Sequence, residues 1–187
     1  DRNRKPLVGN VPFFKRCPYN QDKCYAIGRP EALKMEAEGK DMELIIEASR
    51  QYFFKEATSH LLGYLGEAGE IEVRNGKWEA GDQIGRSGIE QQYDNLLRGR
   101  DGGELVEVNT QGKILREIGR REPVTGNDIF LSLDINLQLA AFRAMEGKKG
   151  AVVASSSQTG EILALVSSPG YDPADLEKSL NDENLPL

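Results

Sequence analysis

The stretch Ile84-Gly85-Arg86-Ser87-Gly88-Ile89-Glu90-Gln91-Gln92-Tyr93-Asp94-Asn95-Leu96-Leu97-Arg98-Gly99 carries the strongest local signal in the chain. Ser87 with Glu90 three residues on reads as a capping box: the serine hydroxyl takes an amide at the helix start, and the glutamate reaches back to the cap's own amide. Ile89, Tyr93, Leu96 and Leu97 then fall at i, i+4, i+7 and i+8, an apolar stripe on one helix that Gly99 ends. Gly85, Ser87, Gly88 and Glu90 are the structural residues of this motif.

Working downstream, residues 104–109 alternate in polarity and residues 113–118 follow after Gln111-Gly112, which predicts a β-hairpin. A third strand is expected over 128–133, separated from the second by Pro123 and Gly126. Asp134 caps a helix running to about Glu146, with Leu137, Ala141, Ala144 and Met145 on its buried face and Gly147 as its stop. Residues 150–155 and 161–166 form a closing hairpin around the Ser-Gln-Thr-Gly turn.

Working upstream, residues 58–65 carry Leu61, Leu62, Tyr64 and Leu65 between glycines and read as a buried strand. Leu44-Ile45-Ile46 reads as a brief strand, and residues 30–38 as a short helix with Pro in its first turn and Gly39 past its end. Residues 1–28 mix Pro, Asn and aromatics without a period and read as extended chain and loop. The order predicts an α+β fold with a mixed sheet. A boundary falls near Gly147-Lys148-Lys149-Gly150, because a two-stranded hairpin is marginal alone and the closing pair belongs to a larger domain.

Composition bounds the function. The chain has 187 residues, 39% hydrophobic and 29% charged, with 20 Gly and 8 Pro, as in a globular protein rich in turns. The formal net charge of -6 argues against nucleic acid as a partner, since phosphate binding needs a clustered basic surface. No run of eighteen apolar residues occurs. One His and two Cys exclude an HExxH zinc motif and are too few for an ordinary Cys/His zinc site, and no metal or cofactor is expected.

Nucleophile patterns are equally sparse. A serine enzyme without a His partner uses Ser-x-x-Lys, one helical turn bringing the amine to the hydroxyl, and no serine here has Lys three residues on. Ser179-Leu180-Asn181 fits only a loose Ser-x-Asn pattern, and Gln158-Thr159-Gly160 is accounted for by a hairpin turn. His60 beside Ser59 is not a catalytic pair by adjacency, since successive strand side chains face opposite ways. The alternative reading is a small hydrolase working through carboxylates or His60. No GxxxxGK[ST] loop occurs. Cys17 and Cys24 enclose six residues including Pro18, a spacing that closes a small loop in an oxidising compartment and stays two free thiols in the cytosol. The opening Asp1-Arg2-Asn3 has neither a Met nor a signal region, and Leu185-Pro186-Leu187 follows an acidic turn, which reads as a trimmed piece of something longer.

Five segments, in order, resemble the front half of a class B penicillin-binding protein. They are Asp1-Arg2-Asn3 with Pro6-Leu7; the run from Ala57 through His60 and Gly63-Tyr64 to Gly66; and Ile84 to Glu90 with Tyr93 and Leu96-Leu97-Arg98-Gly99. The fourth is Val124 to Asp134 with Leu137-Gln138. The fifth joins Ala151 to Ala154 with Thr159 to Pro169 and Tyr171-Asp172-Pro173. The elongation-type members are the more similar, although the region between Asn10 and Arg50 is shorter than their head region and the two cysteines lie outside the pattern. The resemblance implies a pedestal (dimerisation) domain over 1–127, followed by the first helix and hairpin of a transpeptidase domain over 128–187. It implies a parent serine D,D-transpeptidase whose Ser-x-x-Lys lies beyond Leu187. The parent would be anchored at the extracytoplasmic face of the bacterial membrane by a helix absent from this chain. Its implied partners are a SEDS-type glycan polymerase and other cell-wall elongation proteins, with homodimerisation a further possibility. Leu44, Ile46, His60 and Tyr64 are the candidate partner surface.

Overall fold

A computed structural model describes residues 1–18, 23–40, 43–79, 81–110 and 114–176. The chain divides into two compact units, Pro6–Phe54 and Asp1–Lys5 with Lys55–Leu187.

In the unit Pro6–Phe54, β1 (Val8–Arg16) lies between β2 (Tyr25–Ile27) and β3 (Leu44–Tyr52), all antiparallel. The register continues to Cys17 opposite Glu43 and Leu7 opposite Phe53, where the amides of Cys17 and Phe53 donate to the facing carbonyls at 2.7 and 3.1 Å. Alternation therefore turns the main chain of odd-numbered β1 residues toward β3 and of even-numbered ones toward β2. Pro12 falls on the β2 side beyond the end of β2, so its missing N–H removes nothing from the ladder. This sheet pairs part of the extended chain and loop expected over 1–28 into two strands, and it extends the brief strand at 44–46 to nine residues. Neither polarity nor burial alternates along β1, where Phe13 and Phe14 are adjacent, so the strand carries no period of two for a sequence reading to find. Helix α1 (Arg29–Ala37) starts with Pro30 in its first turn and buries Ala32 and Met35. Cys17 and Cys24, at the end of β1 and before β2, are joined as a disulfide.

The second unit holds three two-stranded antiparallel sheets: β4 (Leu65–Glu67) with β5 (Gln83–Gly85), β6 (Gly103–Val108) with β7 (Ile114–Arg121), and β8 (Gly150–Ser155) with β9 (Ile162–Ser168). The architecture is α+β, and the expected mixed sheet is replaced by small antiparallel ones among the described residues. The hairpins at 104–118 and 150–166 form with the expected pairing, while Gln111-Gly112 at the first tip lies outside the described residues. Helix α6 (Ile135–Ala144) packs on β9, and Leu133, Ile135, Ala164 and Val166 form a core there.

Four local expectations change. Residues 58–65 are not a strand: a 3-10 turn (Lys55–Ala57) leads into the single turn α2 (Ser59–Leu62). The hydroxyls of Thr58 and Ser59 donate to the carbonyls of Lys55 and Glu56, at 3.3 and 3.1 Å, and hold the chain curled. The helix after Ser87 splits at Tyr93 into α4 (Gly88–Gln92) and α5 (Asp94–Leu97), with the Asp94 carboxylate taken up by the Gly85 amide at 3.0 Å. Its expected core stripe is not a core, since Tyr93 and Leu96 are exposed and Glu90 is the buried residue. Residues 128–133 run without a paired strand, held at their ends by Asn127 N to Leu96 O and Asp134 N to Leu163 O, both 2.8 Å. On α6 the buried residues are Ile135 and Gln138, whereas Leu137 and Ala144 are exposed.

Candidate functional site

The segment leaving β9 is pinned to the curled chain at 55–62. Tyr171 donates its amide to Ser59 Oγ (3.2 Å) and its phenol to Ser59 O (3.1 Å). The Lys55 ammonium lies 3.0 Å from Asp172 Oδ2, and that carboxylate holds the lysine pKa above its ordinary value. His60 Nε2 lies 3.0 Å from Pro169 O; because a carbonyl only accepts, the ring proton is on Nε2. The His60 and Tyr64 rings both meet Tyr171 edge-on, at 5.1 and 6.2 Å between centroids. Burial raises the Tyr171 pKa, and the nearby Ser87 hydroxyl offsets part of that rise.

Glycine makes the close approach beneath this cluster possible. Gly63 has φ +81 and Gly88 φ +59, and their backbones cross: a Cβ on Gly63 would sit 1.9 Å from Ser87 O, and one on Gly88 2.5 Å from Leu61 O. The Gly85-to-Gly88 motif is thus a backbone-packing device. Ser87 is extended before α4 but makes no cap hydrogen bond, so the expected capping box is absent. Its Oγ is buried without a hydrogen bond of good geometry, turned toward Tyr171 instead of the helix start. A capping box depends on side-chain direction, and here the Ser87 hydroxyl lies against Gly63, 2.8 Å from where a Cβ would sit.

Two further clamps set the position of α6. Asp134 caps it, accepting from the amides of Asn136 (2.9 Å) and Leu137 (3.3 Å), and these bonds lower its pKa below the usual carboxylate value. Asp1 Oδ1 accepts from the amides of Asn3 and Lys5, Asp1 Oδ2 accepts from the Ile135 amide at 3.3 Å, and Arg2 N donates to Leu133 O. Gln138 is completely buried: Nε2 donates to Ala57 O and Leu165 O, each at 2.7 Å, and Oε1 accepts from Leu165 N at 2.8 Å. One side chain thereby ties the 3-10 turn, α6 and β9. Sequence reading missed it, because a polar residue on the inner face of a helix breaks the apolar pattern.

Between α3 (Glu70–Arg74) and β5, the Arg86 guanidinium grips the Glu72 carboxylate at 2.8 and 2.9 Å and also donates to Glu67 O. Arg86 and the Gly69 amide hold Glu72 below its ordinary pKa. Arg98 stacks on Trp78, 3.5 Å from the ring centroid, beside Asp82 and Asp94. These contacts are structural. Ser59 Oγ and His60 Nε2 are both committed to main-chain partners, so they do not form a nucleophile and base. Among the described residues no group of three His, Cys, Asp or Glu could hold a metal ion. No helix of the described residues is long and apolar enough to cross a membrane. Of the candidate partner residues, Leu44 and exposed Ile46 lie on β3, whereas His60 and Tyr64 belong to the other unit, around Tyr171. Ser179-Leu180-Asn181 lies outside the described residues.

Comparison with known proteins gives a consistent picture. The family model of the penicillin-binding protein dimerisation domain matches residues 31–131. The peptidoglycan D,D-transpeptidase MrdA of Acinetobacter baumannii is 40% identical over 130 residues, covering 68% of this chain and 19% of that protein. The chain therefore spans about a fifth of that relative's length. Among solved structures, a chain in the complex between penicillin-binding protein (PBP2) and MreC from Helicobacter pylori has the same fold, with TM-score 0.72 and 23% identity. That match covers 98% of this chain and 44% of the other. A chain of a peptidoglycan synthase complex, studied for its coordination of polymerization and crosslinking, aligns with TM-score 0.71 and 26% identity. It covers all of this chain (100%) and 42% of the other.

Proposed function

The chain belongs to the penicillin-binding protein dimerisation-domain family, and we propose that it is the noncatalytic pedestal of an elongation-type peptidoglycan D,D-transpeptidase. In this reading residues 1–127 are the pedestal with a shortened head region, and residues 128–187 begin the transpeptidase domain with α6 and the β8–β9 hairpin. The observation that carries the reading is the pinning of the segment after β9. Ser59, His60 and Lys55 fix Pro169, Tyr171 and Asp172, so the pedestal sets the path of the chain into whatever follows. Gln138 and the Asp1 clamp fix α6 in the same way. A scaffold with these braces, in which Ser59 and His60 are committed to main-chain partners, acts by position.

The parent protein crosslinks stem peptides through a serine acyl-enzyme formed beyond this chain, and it works on the extracytoplasmic face of the membrane. The Cys17–Cys24 disulfide suits that oxidising compartment. Its partner is a SEDS-type glycan polymerase, with other elongation proteins alongside; the likeness to a chain of a peptidoglycan synthase complex supports the first and the likeness to a chain bound to MreC the second. Exposed Ile45 and Ile46 are the apolar residues this reading offers to a partner. The test is co-purification of the full chain with a detergent-solubilised SEDS polymerase from the same organism. Retention of the polymerase, lost on Ile46→Arg, is expected. Failure of the wild-type chain to retain it, with the polymerase active, would contradict the reading.

A further inference from the structure

The Cys17–Cys24 disulfide sits at the rim of the sheet over Val8–Tyr52. Arg16 faces Tyr25, so the antiparallel register carried one step further sets Cys17 directly opposite Cys24. Cys17 donates its own amide to Glu43 O on the β3 side, at 2.7 Å, which places the pair where β1 and β2 exchange no main-chain bonds. The Cα separation of 4.2 Å is the close spacing of such a pair. What the disulfide ties down is small. β2 has three residues and buries none of them: Tyr25 and Ala26 are exposed and Ile27 is half-buried. Its ladder bonds are those of the Phe14–Ile27 and Arg16–Tyr25 pairs. The rest of the unit has holds of its own, since β3 pairs with β1 along nine residues and α1 buries Ala32 and Met35. Cys24 is exposed and Cys17 half-buried, and exposed disulfides are the ones that exchange readily with thiols in solution.

We propose that this disulfide is a redox switch that docks and releases β2, worked by an external dithiol at Cys24. One thiolate of the dithiol attacks Sγ of the exposed Cys24. A new S–S bond forms there, the Cys17–Cys24 bond breaks, and Cys17 leaves as the thiolate. The second thiolate of the dithiol then attacks its own sulfur in the mixed disulfide and expels Cys24. The dithiol is oxidised to its disulfide, the chain gains two electrons, and the two protons of the dithiol end on Cys17 and Cys24. Without the cross-link the chain between the strands regains its freedom, and closing a loop of this length is worth roughly fifty-fold in the docking equilibrium of β2. Because β2 buries no side chain, its release leaves the β1–β3 pair and α1 in place. Release uncovers the main chain of Phe14 and Arg16 on β1, and a disulfide oxidant reverses it.

Residue-resolved amide hydrogen exchange of the full chain, with dithiothreitol as the dithiol, tests it. In the oxidised chain the amides of Phe14, Arg16, Tyr25 and Ile27 are protected by the β1–β2 ladder, and those of Phe13 and Lys15 by β3. On reduction, exchange at Phe14, Arg16, Tyr25 and Ile27 should rise roughly fifty-fold while Phe13 and Lys15 keep their protection. Oxidised glutathione should restore the first pattern. A chain carrying both Cys17→Ala and Cys24→Ala should show the reduced pattern with or without dithiothreitol. Loss of protection at Phe13 and Lys15 along with the others would make the disulfide a staple of the whole unit and overturn the proposal. Unchanged protection at Phe14 and Arg16 in the reduced chain, or a disulfide that opens only after denaturant has unfolded the unit, would overturn it too. None of these outcomes touches the pedestal reading, which co-purification with the polymerase tests separately.

Discussion

Gln138 is the residue whose environment does most to define the second unit. Its amide replaces water for two carbonyls and one N–H that belong to segments far apart in sequence, Ala57 and Leu165. Gln138→Leu keeps the volume and strands all three groups, and should cost about 3 kcal/mol. A urea midpoint that falls by the corresponding amount at constant m would show this; an unchanged midpoint would mean that water or relaxation satisfies them. Asp134 was legible from sequence because a cap is a local pattern with a local partner. Gln138 was not, because a buried polar group becomes affordable only through tertiary partners. Ser87 marks a third case: its local pattern fits a cap, yet its hydroxyl makes no cap bond and is buried against Gly63 where the two backbones cross.

At the scale of elements, the hairpins β6–β7 and β8–β9 and the helices α1 and α6 follow from polarity alternation, turn residues and proline or acidic caps. The segments that departed from expectation are those where glycines bring backbones together. Residues 58–65 hold a short apolar run whose period does not separate a strand from a helical turn, and the Thr58 and Ser59 hydroxyl bonds decide for the turn. Gly63→Ala should therefore cost several times more than a glycine substitution in open space. Gly76 is the comparison: its φ is +70 and nothing lies within 4 Å of a Cβ there. Gly76→Ala should cost about 1 to 2 kcal/mol from left-handed strain alone. Gly63→Ala must also displace the Ser87 backbone, and should abolish the cooperative thermal transition of its unit. Equal melting shifts for the two variants would contradict the crossing.

For the whole molecule, the braces converge on one outcome: what leaves β9 has a fixed path, set by Ser59, His60 and Lys55, while α6 is held at its start by Asp1 and Asp134. The family resemblance was legible in sequence because its motifs are glycine crossings and caps, which tolerate few substitutes. The sheet over Val8–Tyr52 was not, since β1 has no polarity alternation and its long partner strand β3 pairs across most of that unit. Under the proposed pedestal role, these residues position a penicillin-reactive domain without reacting themselves. Labelling with fluorescent penicillin tests it most directly, comparing the 187-residue chain with the protein extended to the length of its relatives. A labelled band is expected for the extended protein and none for the 187 residues; covalent labelling of the 187 residues alone would contradict the proposed pedestal role.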